Sequence, residues 1–183
     1  MRKLRILVYG LTVLVSLSVI GSTVTRAQVK SQDPRIALAD NCDPITFNAA
    51  LGPNACVGRG DTTVGEFFAA LFSPLIDNGK PFVGHPAWRM EPAYVSSHIG
   101  QRVRVTNSGG EGHTFTAVTN FGAGSIPPLN GADVTRAPEC SANPAALAVI
   151  AQGQTVDVTG LSAGPHNFMC CIHPWMRAVV DVE

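Results

Sequence analysis

The chain is short of charge. Only 14% of its 183 residues are Asp, Glu, Lys or Arg, against about 25% in an average soluble domain. Lys plus Arg equal Asp plus Glu at 13 each, so no basic surplus points to a nucleic-acid backbone. Aromatic residues are scarce at 7%. There is no internal repeat and no low-complexity tract, which excludes solenoids and arrays. No acidic residue occurs among the first 27, and no cysteine precedes Cys42. What the sequence does have is 18 glycines and 13 prolines. That composition disfavours a helical bundle and favours strands joined by turns. The length suits one globular domain with a real core.

The apparent neutrality hides an asymmetry. Arg2, Lys3, Arg5 and Arg26 all lie in the first 27 residues; beyond them nine basic residues face thirteen acidic ones. The exported part is mildly acidic. Arg2, Lys3 and Arg5 precede an uncharged stretch from Ile6 to Thr25, strongly apolar from Ile6 to Ile20. A positive start, a short apolar stretch and the end Thr25-Arg26-Ala27 read as a secretory signal over 1–27, cut before Gln28. The alternative is an uncleaved membrane anchor, diluted by Gly10, Ser16, Ser18, Gly21, Ser22 and Thr23. With no cysteine close behind it, the segment is not that of a lipid-anchored lipoprotein. Either way the folded part is expected outside the cytoplasm, periplasmic or extracellular, and membrane-tethered only if the segment stays uncleaved. All five cysteines, Cys42, Cys56, Cys140, Cys170 and Cys171, lie in that part, where disulfides persist. Five is odd, so one thiol is left over or employed.

Residues 28 to about 41 read as a polar lead-in without periodicity. Cys42 to Cys56 encloses a loop rich in Asn, Pro and Ala, closed most simply by its own disulfide. One helix follows over about 63–72: Thr63 and Glu66 have capping-box spacing, and Val64, Phe67, Phe68, Leu71 and Phe72 share a face. Residues 28–85 thus form an N-terminal extension carrying one helix. From Pro81 onward the pattern is β. Tyr94–Ile99, Gln101–Asn107, Thr114–Thr119, Leu147–Ile150, Thr155–Val158, His166–Cys170 and Arg177–Val182 read as strands. Turns at Gly100, Gly153, Gly160 and Gly164 separate several of them. Residues 121–147 are a long Gly/Pro-rich crossing. The expected fold of 86–183 is an all-β sandwich.

The chemistry is concentrated in His166-Asn-Phe-Met-Cys170-Cys171-Ile-His173-Pro-Trp-Met176. A thiolate, an imidazole three residues on and a thioether three further are the ligand types of an electron-transfer copper centre. Such a centre needs a second imidazole from a distant strand. His113, in Asn107-Ser-Gly-Gly-Glu-Gly-His113, sits at the mouth of a predicted hairpin. A closed zinc site would prefer more thiolates or imidazoles and no thioether. His85 and His98 read as packed or solvent-facing residues rather than ligands.

Over roughly residues 92–183 the sequence resembles the cupredoxins, the small blue copper proteins such as plastocyanin, pseudoazurin and amicyanin. Asn107 and His113 keep the family's spacing between a strand-ending Asn and the first His ligand. Gly100 with Val103, Gly153 with Val158, and Gly164 fit the strands that flank the site. Cys170-x-x-His173-x-x-Met176 matches the short, amicyanin-like ligand loop. The resemblance implies a Greek-key β-sandwich holding one copper ion, cycling between Cu(I) and Cu(II), on His113, Cys170, His173 and Met176. Asn107 would stand behind the site, and Pro174 and Trp175 would form an apolar docking surface around a solvent-facing His173.

Strand alternation separates the adjacent cysteines. His166, Phe168 and Cys170 point to one face, and Asn167, Met169 and Cys171 to the other. Family members carry aromatic residues two and four before the ligand cysteine on its core-facing row; Phe168 fits and His166 departs. Cys170 is therefore taken as the thiolate. If Cys42 pairs with Cys56, Cys140 is left for Cys171, while a Cys170–Cys171 bond is the competitor. The implied function is a monomeric single-electron carrier with transient redox protein partners, not an enzyme. Alternatives are a copper trafficking or storage protein, which would need more Met and His clusters than four methionines supply, or a structural ectodomain with a vestigial site.

Overall fold

The computed structural model describes residues 32–72, 75–77, 80–82, 84–130 and 135–183. The expected signal segment over 1–27 lies outside the described residues. Ten strands and two α-helices occur among the described residues. They are β1 (Arg35–Ala39), α1 (Pro44–Leu51), α2 (Val64–Phe72), β2 (Leu75–Asp77), β3 (Lys80–Phe82), β4 (Arg89–Glu91), β5 (Tyr94–Ser97), β6 (Val103–Asn107), β7 (Thr116–Val118), β8 (Thr155–Val158), β9 (Gly164–Met169) and β10 (Arg177–Val182). One sheet has the order β4-β1-β6-β8, the other β5-β10-β9-β7, and β2 pairs with β3 alone. From β4 to β9 each successive strand changes sheet, and within the two four-stranded sheets only β9 and β10 are hairpin neighbours. This is the expected sandwich.

Period-2 alternation makes the core. Ile36 and Leu38 of β1, Val103 and Val105 of β6, Val95 of β5, Phe168 of β9, and Ala178, Val180 and Val182 of β10 are all buried in a single cluster. Alternate residues of β6 and β10 stay partly or fully exposed. Apolar side chains on the facing rows leave water together, and the sheets are held by that burial.

Three features differ from the sequence reading. The supposed lead-in contains β1, an interior strand that runs parallel to β6 and antiparallel to β4. Its two inward residues, Ile36 and Leu38, are too few to show a period, yet they are at most 1% exposed. The Cys42–Cys56 loop contains α1, which has no apolar stripe. Its N-cap Asp43 accepts from the amides of Ile45 and Thr46, Pro44 opens it, and Gly52 ends it at φ 108°. Local capping and loop closure substitute for an amphipathic face. Leu147–Ile150 is not a strand: only Ile150 pairs, in an isolated bridge with His113, after a 3₁₀ turn at Pro144–Ala146.

Helix α2 follows its capping box closely. The Thr63 amide donates to Glu66 Oε2 at 2.8 Å and the Glu66 amide to Thr63 Oγ1 at 3.2 Å. The described parts of the 121–147 crossing lie against the outer side of β7 and β9, where Phe121, Ala137, Cys140 and Leu147 pack on Val118, Met169 and Cys171. Both expected disulfides are present, Cys42–Cys56 and Cys140–Cys171, and Cys170 is the free, buried cysteine.

Candidate metal centre

The alternation along β9 decides which thiol is available. Phe168 and Cys170 face the main core, whereas Met169 and Cys171 face the second cluster, where Cys171 bonds Cys140. Cys170 emerges at the end of β9 and is fully buried. The chain then turns, and the turn is closed by backbone bonds from Met176 N to His173 O and from Cys170 N to Met176 O. That turn brings the His173 Nδ1 to 3.9 Å from Cys170 Sγ. His113 arrives from the loop between β6 and β7, placed by its double backbone bond with Ile150 at 3.2 and 2.7 Å. Its Nδ1 is also 3.9 Å from the sulfur. The three donor atoms lie within 4.8 Å of one another. No other such group of His, Cys, Asp and Glu occurs among the described residues.

The sulfur is prepared as a thiolate. Burial pushes the Cys170 thiol up, but the imidazoles of His113 and His173 outweigh it and hold the thiol well below its ordinary range. The Thr114 amide points at the sulfur from 3.3 Å and the His173 amide from 3.5 Å, each favouring negative charge on it. Asn107, fully buried, ties the loop before His113. Its amide donates to the carbonyls of Glu111 and Ile150 at 2.7 and 2.8 Å, and its oxygen accepts from the Gly109 amide at 2.9 Å. Met176 is fully buried in the same core cluster as Cys170.

Two carboxylates complete the surroundings, and neither stands out in the sequence. Asp40 follows β1, and its Oδ2 lies 2.7 Å from His113 Nε2 with both side chains at 0% exposure. Burial raises the Asp40 carboxyl, but His113 and the amides of Glu111 and Gly110 bring it down to about 2. His113 loses by burial and gains more from Asp40 and Cys170, so it is pushed up to about 9. Glu111 Oε2 lies 3.5 Å from His173 Nε2 and accepts from Trp88 Nε1 at 2.5 Å. Burial raises the Glu111 carboxyl. Gly109 is required here, since a Cβ on it would lie 2.0 Å from Asp40 Oδ2.

The expected solvent-facing His173 is not observed. It is 2% exposed, covered by Phe67 of α2 at 6.2 Å, Trp88 at 6.5 Å and Trp175 at 5.4 Å between ring centroids. Pro174 is buried and Trp175 half-buried, so the expected docking pair is largely inside this aromatic cover. Trp175 donates from Nε1 to the Trp88 carbonyl at 3.1 Å. Its ring leaves room for nothing larger than Gly84, which sits at φ +141° with a hypothetical Cβ 2.3 Å from the indole. The physical reason is the extension: α2 and residues 84–88 lie where a minimal sandwich would be bare. His85 stacks near Phe67 and Trp88, His98 is exposed, and half-buried His166 reaches the Ser162 carbonyl through Nε2 at 2.8 Å. None of these three joins the group around Cys170.

A buried thiolate with two imidazoles turned toward it by the same ring nitrogen fits a soft or borderline transition metal, copper above all once a thioether is near. Neither a family model nor a curated protein matches the chain. Among solved structures it is similar to a purple cupredoxin from Nitrosopumilus maritimus, at 14% identity and TM-score 0.41, over 82% of this chain and 100% of that one. It is also similar to a reduced Cu(I) form of an amicyanin variant at pH 4, at 24% identity and TM-score 0.35, over 52% and 73%. Amicyanin from Paracoccus versutus aligns at 23% identity and TM-score 0.34, over the same shares.

Proposed function

We propose that this protein is an exported blue copper protein that passes single electrons between redox partners. The observation that carries the reading is the arrangement at Cys170. The one cysteine without a disulfide is buried, and two histidines from different loops, β6–β7 and β9–β10, turn Nδ1 to 3.9 Å from its sulfur. His113, Cys170 and His173 would hold the ion, with Met176 as a weak fourth donor. Copper bound there would supply a one-electron couple between Cu(I) and Cu(II).

The chain's own part is to keep the donors still. His113 is held by the Ile150 bridge and Asn107, Cys170 by the β9–β10 hairpin, and His173 by the turn closed on Met176. Donors fixed by pairing remote from the metal cannot relax to the different geometries the two oxidation states prefer. Little reorganisation then accompanies transfer. The aromatic cover of Phe67, Trp88 and Trp175 excludes water from His173. Half-buried Trp175 is the part of that cover from which a transient protein partner would take the electron, through a contact in the smallest interface class.

Export is supported by the two disulfides, which persist in oxidising compartments, and by the signal pattern of the first 27 residues. No helix among the described residues is long and apolar enough to cross a membrane.

The test is a copper titration of the purified protein followed by visible absorption. One equivalent should give an intense band from Cys-to-copper charge transfer, and a reductant should bleach it reversibly. A colourless one-to-one complex would point to trafficking or storage, and no binding to a vestigial site.

A further inference from the structure

We propose that Asp40, with Glu111 as its counterpart, is a positioning carboxylate of the metal centre. It holds His113 in the tautomer that presents Nδ1 to the metal and places fixed negative charge behind the imidazole. This rests on the copper reading above and adds to it a residue from outside the segment that bears the ligands.

The geometry is specific to the histidine. Asp40 has a sufficient structural role on Oδ1, which accepts from the amides of Cys42 at 3.1 Å and Gly110 at 2.9 Å. Its Oδ2 accepts from the Glu111 amide at 3.0 Å and is directed to His113 Nε2 at 2.7 Å. A carboxylate saturated on one oxygen by loop amides has no need of an imidazole on the other. A neutral imidazole that donates from Nε2 must leave Nδ1 as the acceptor, and Nδ1 is the nitrogen near Cys170. The pattern recurs on the second histidine. There Glu111 lies 3.5 Å from Nε2, steered by Trp88, and Nδ1 again turns to the sulfur. Carboxylate–histidine–metal chains orient ligands and raise their basicity.

The consequence is electrostatic as well as steric. The more oxidised ion carries one additional positive charge, and a buried carboxylate favours it through a medium that screens poorly. The carboxylate should therefore hold the reduction potential below that of the same site without it. Asp40 can reach His113 because β1 runs parallel to β6, with the Leu38 carbonyl accepting from the amides of Ser108 and Gly109 at 2.8 and 3.0 Å. The strand makes the lead-in part of the metal site.

The experiment compares wild type with Asp40→Asn and Asp40→Ala, with Glu111→Gln as a second-site control. Copper affinity, midpoint potential and the visible spectrum are read on each. Copper affinity should fall about 10–100-fold in the Asp40 variants, and their potential should rise while the band persists. Glu111→Gln should move the potential in the same direction but less. Nitrogen-15 correlation spectra of the wild-type Cu(I) protein need no variant to fold: they should show His113 protonated at Nε2, with that proton bonded and slow to exchange. Potential and affinity unchanged in folded Asp40 variants, or a proton on Nδ1 in wild type, would overturn the proposal. A wild type that binds no copper would instead remove the reading beneath it.

Discussion

Cys170→Ser is expected to abolish the visible band of the copper-loaded protein, because serine offers no soft sulfur donor. Cys171→Ser should leave the band in place, since that side chain faces the second cluster and not the two histidines. A Cys170→Ser variant that stays coloured would transfer the ligand role to its neighbour. Met176→Gln tests the fourth donor: axial identity tunes the potential of such sites, and an amide oxygen favours Cu(II), so electrochemistry should find a lower midpoint. An unchanged potential would reduce Met176 to core packing, which its 0% exposure already requires of it. The residue types were legible in the sequence because each is chemically unusual: a Cys, a His and a Met at intervals of three. Asp40 and Glu111 were not, since an isolated acidic residue in a turn-rich segment looks like any solvated one.

At the scale of elements, α2 and the 121–147 crossing each close one side of the ligand loop. Phe67 is 4% exposed and touches the rings of Phe47, Trp88 and His173. Phe67→Ala should cost about 3–5 kcal/mol in chemical denaturation, by transfer loss and the cavity left behind. The same variant should quicken electron exchange with small soluble reagents by uncovering His173; equal rates in both proteins would show that the cover does not limit access. The crossing is tied by Cys140–Cys171, at a sequence separation of 31, and by the Ser125 amide donating to the Cys171 carbonyl at 2.6 Å. In the chain-entropy view that loop closure contributes roughly 3–4 kcal/mol. Cys171→Ser should therefore lower the melting temperature clearly while keeping the colour, and calorimetry on the two proteins measures it. Helix α2 could be read from its capping box and aromatic stripe. Helix α1 could not, because a helix held by a cap and a disulfide leaves no periodic trace.

For the whole molecule, the segment that bears the ligands is not a self-sufficient sandwich. A chain limited to residues 92–183 would lack β1 and β4, leaving β6 and β8 as half a sheet with Val103 and Val105 uncovered by Ile36 and Leu38. Such a fragment should show no cooperative melt by circular dichroism, whereas the chain from Gln32 should; a sharp transition in the fragment would contradict this account. The sequence by itself determined the β class, the helix over about 63–72, the ligand quartet as candidates and, through strand alternation, the division of labour between Cys170 and Cys171. These rest on local period and on residue chemistry, which are written along the chain. Only the tertiary structure decided that the supposed lead-in is an interior strand, that Asp40 meets His113 across 73 residues, and that His173 lies under an aromatic cover instead of at the surface. Those depend on which distant segments share one core. Parallel pairing of β1 with β6 is chosen by the burial of two side chains, Ile36 and Leu38, and so short a pattern specifies a strand only once its partner is there.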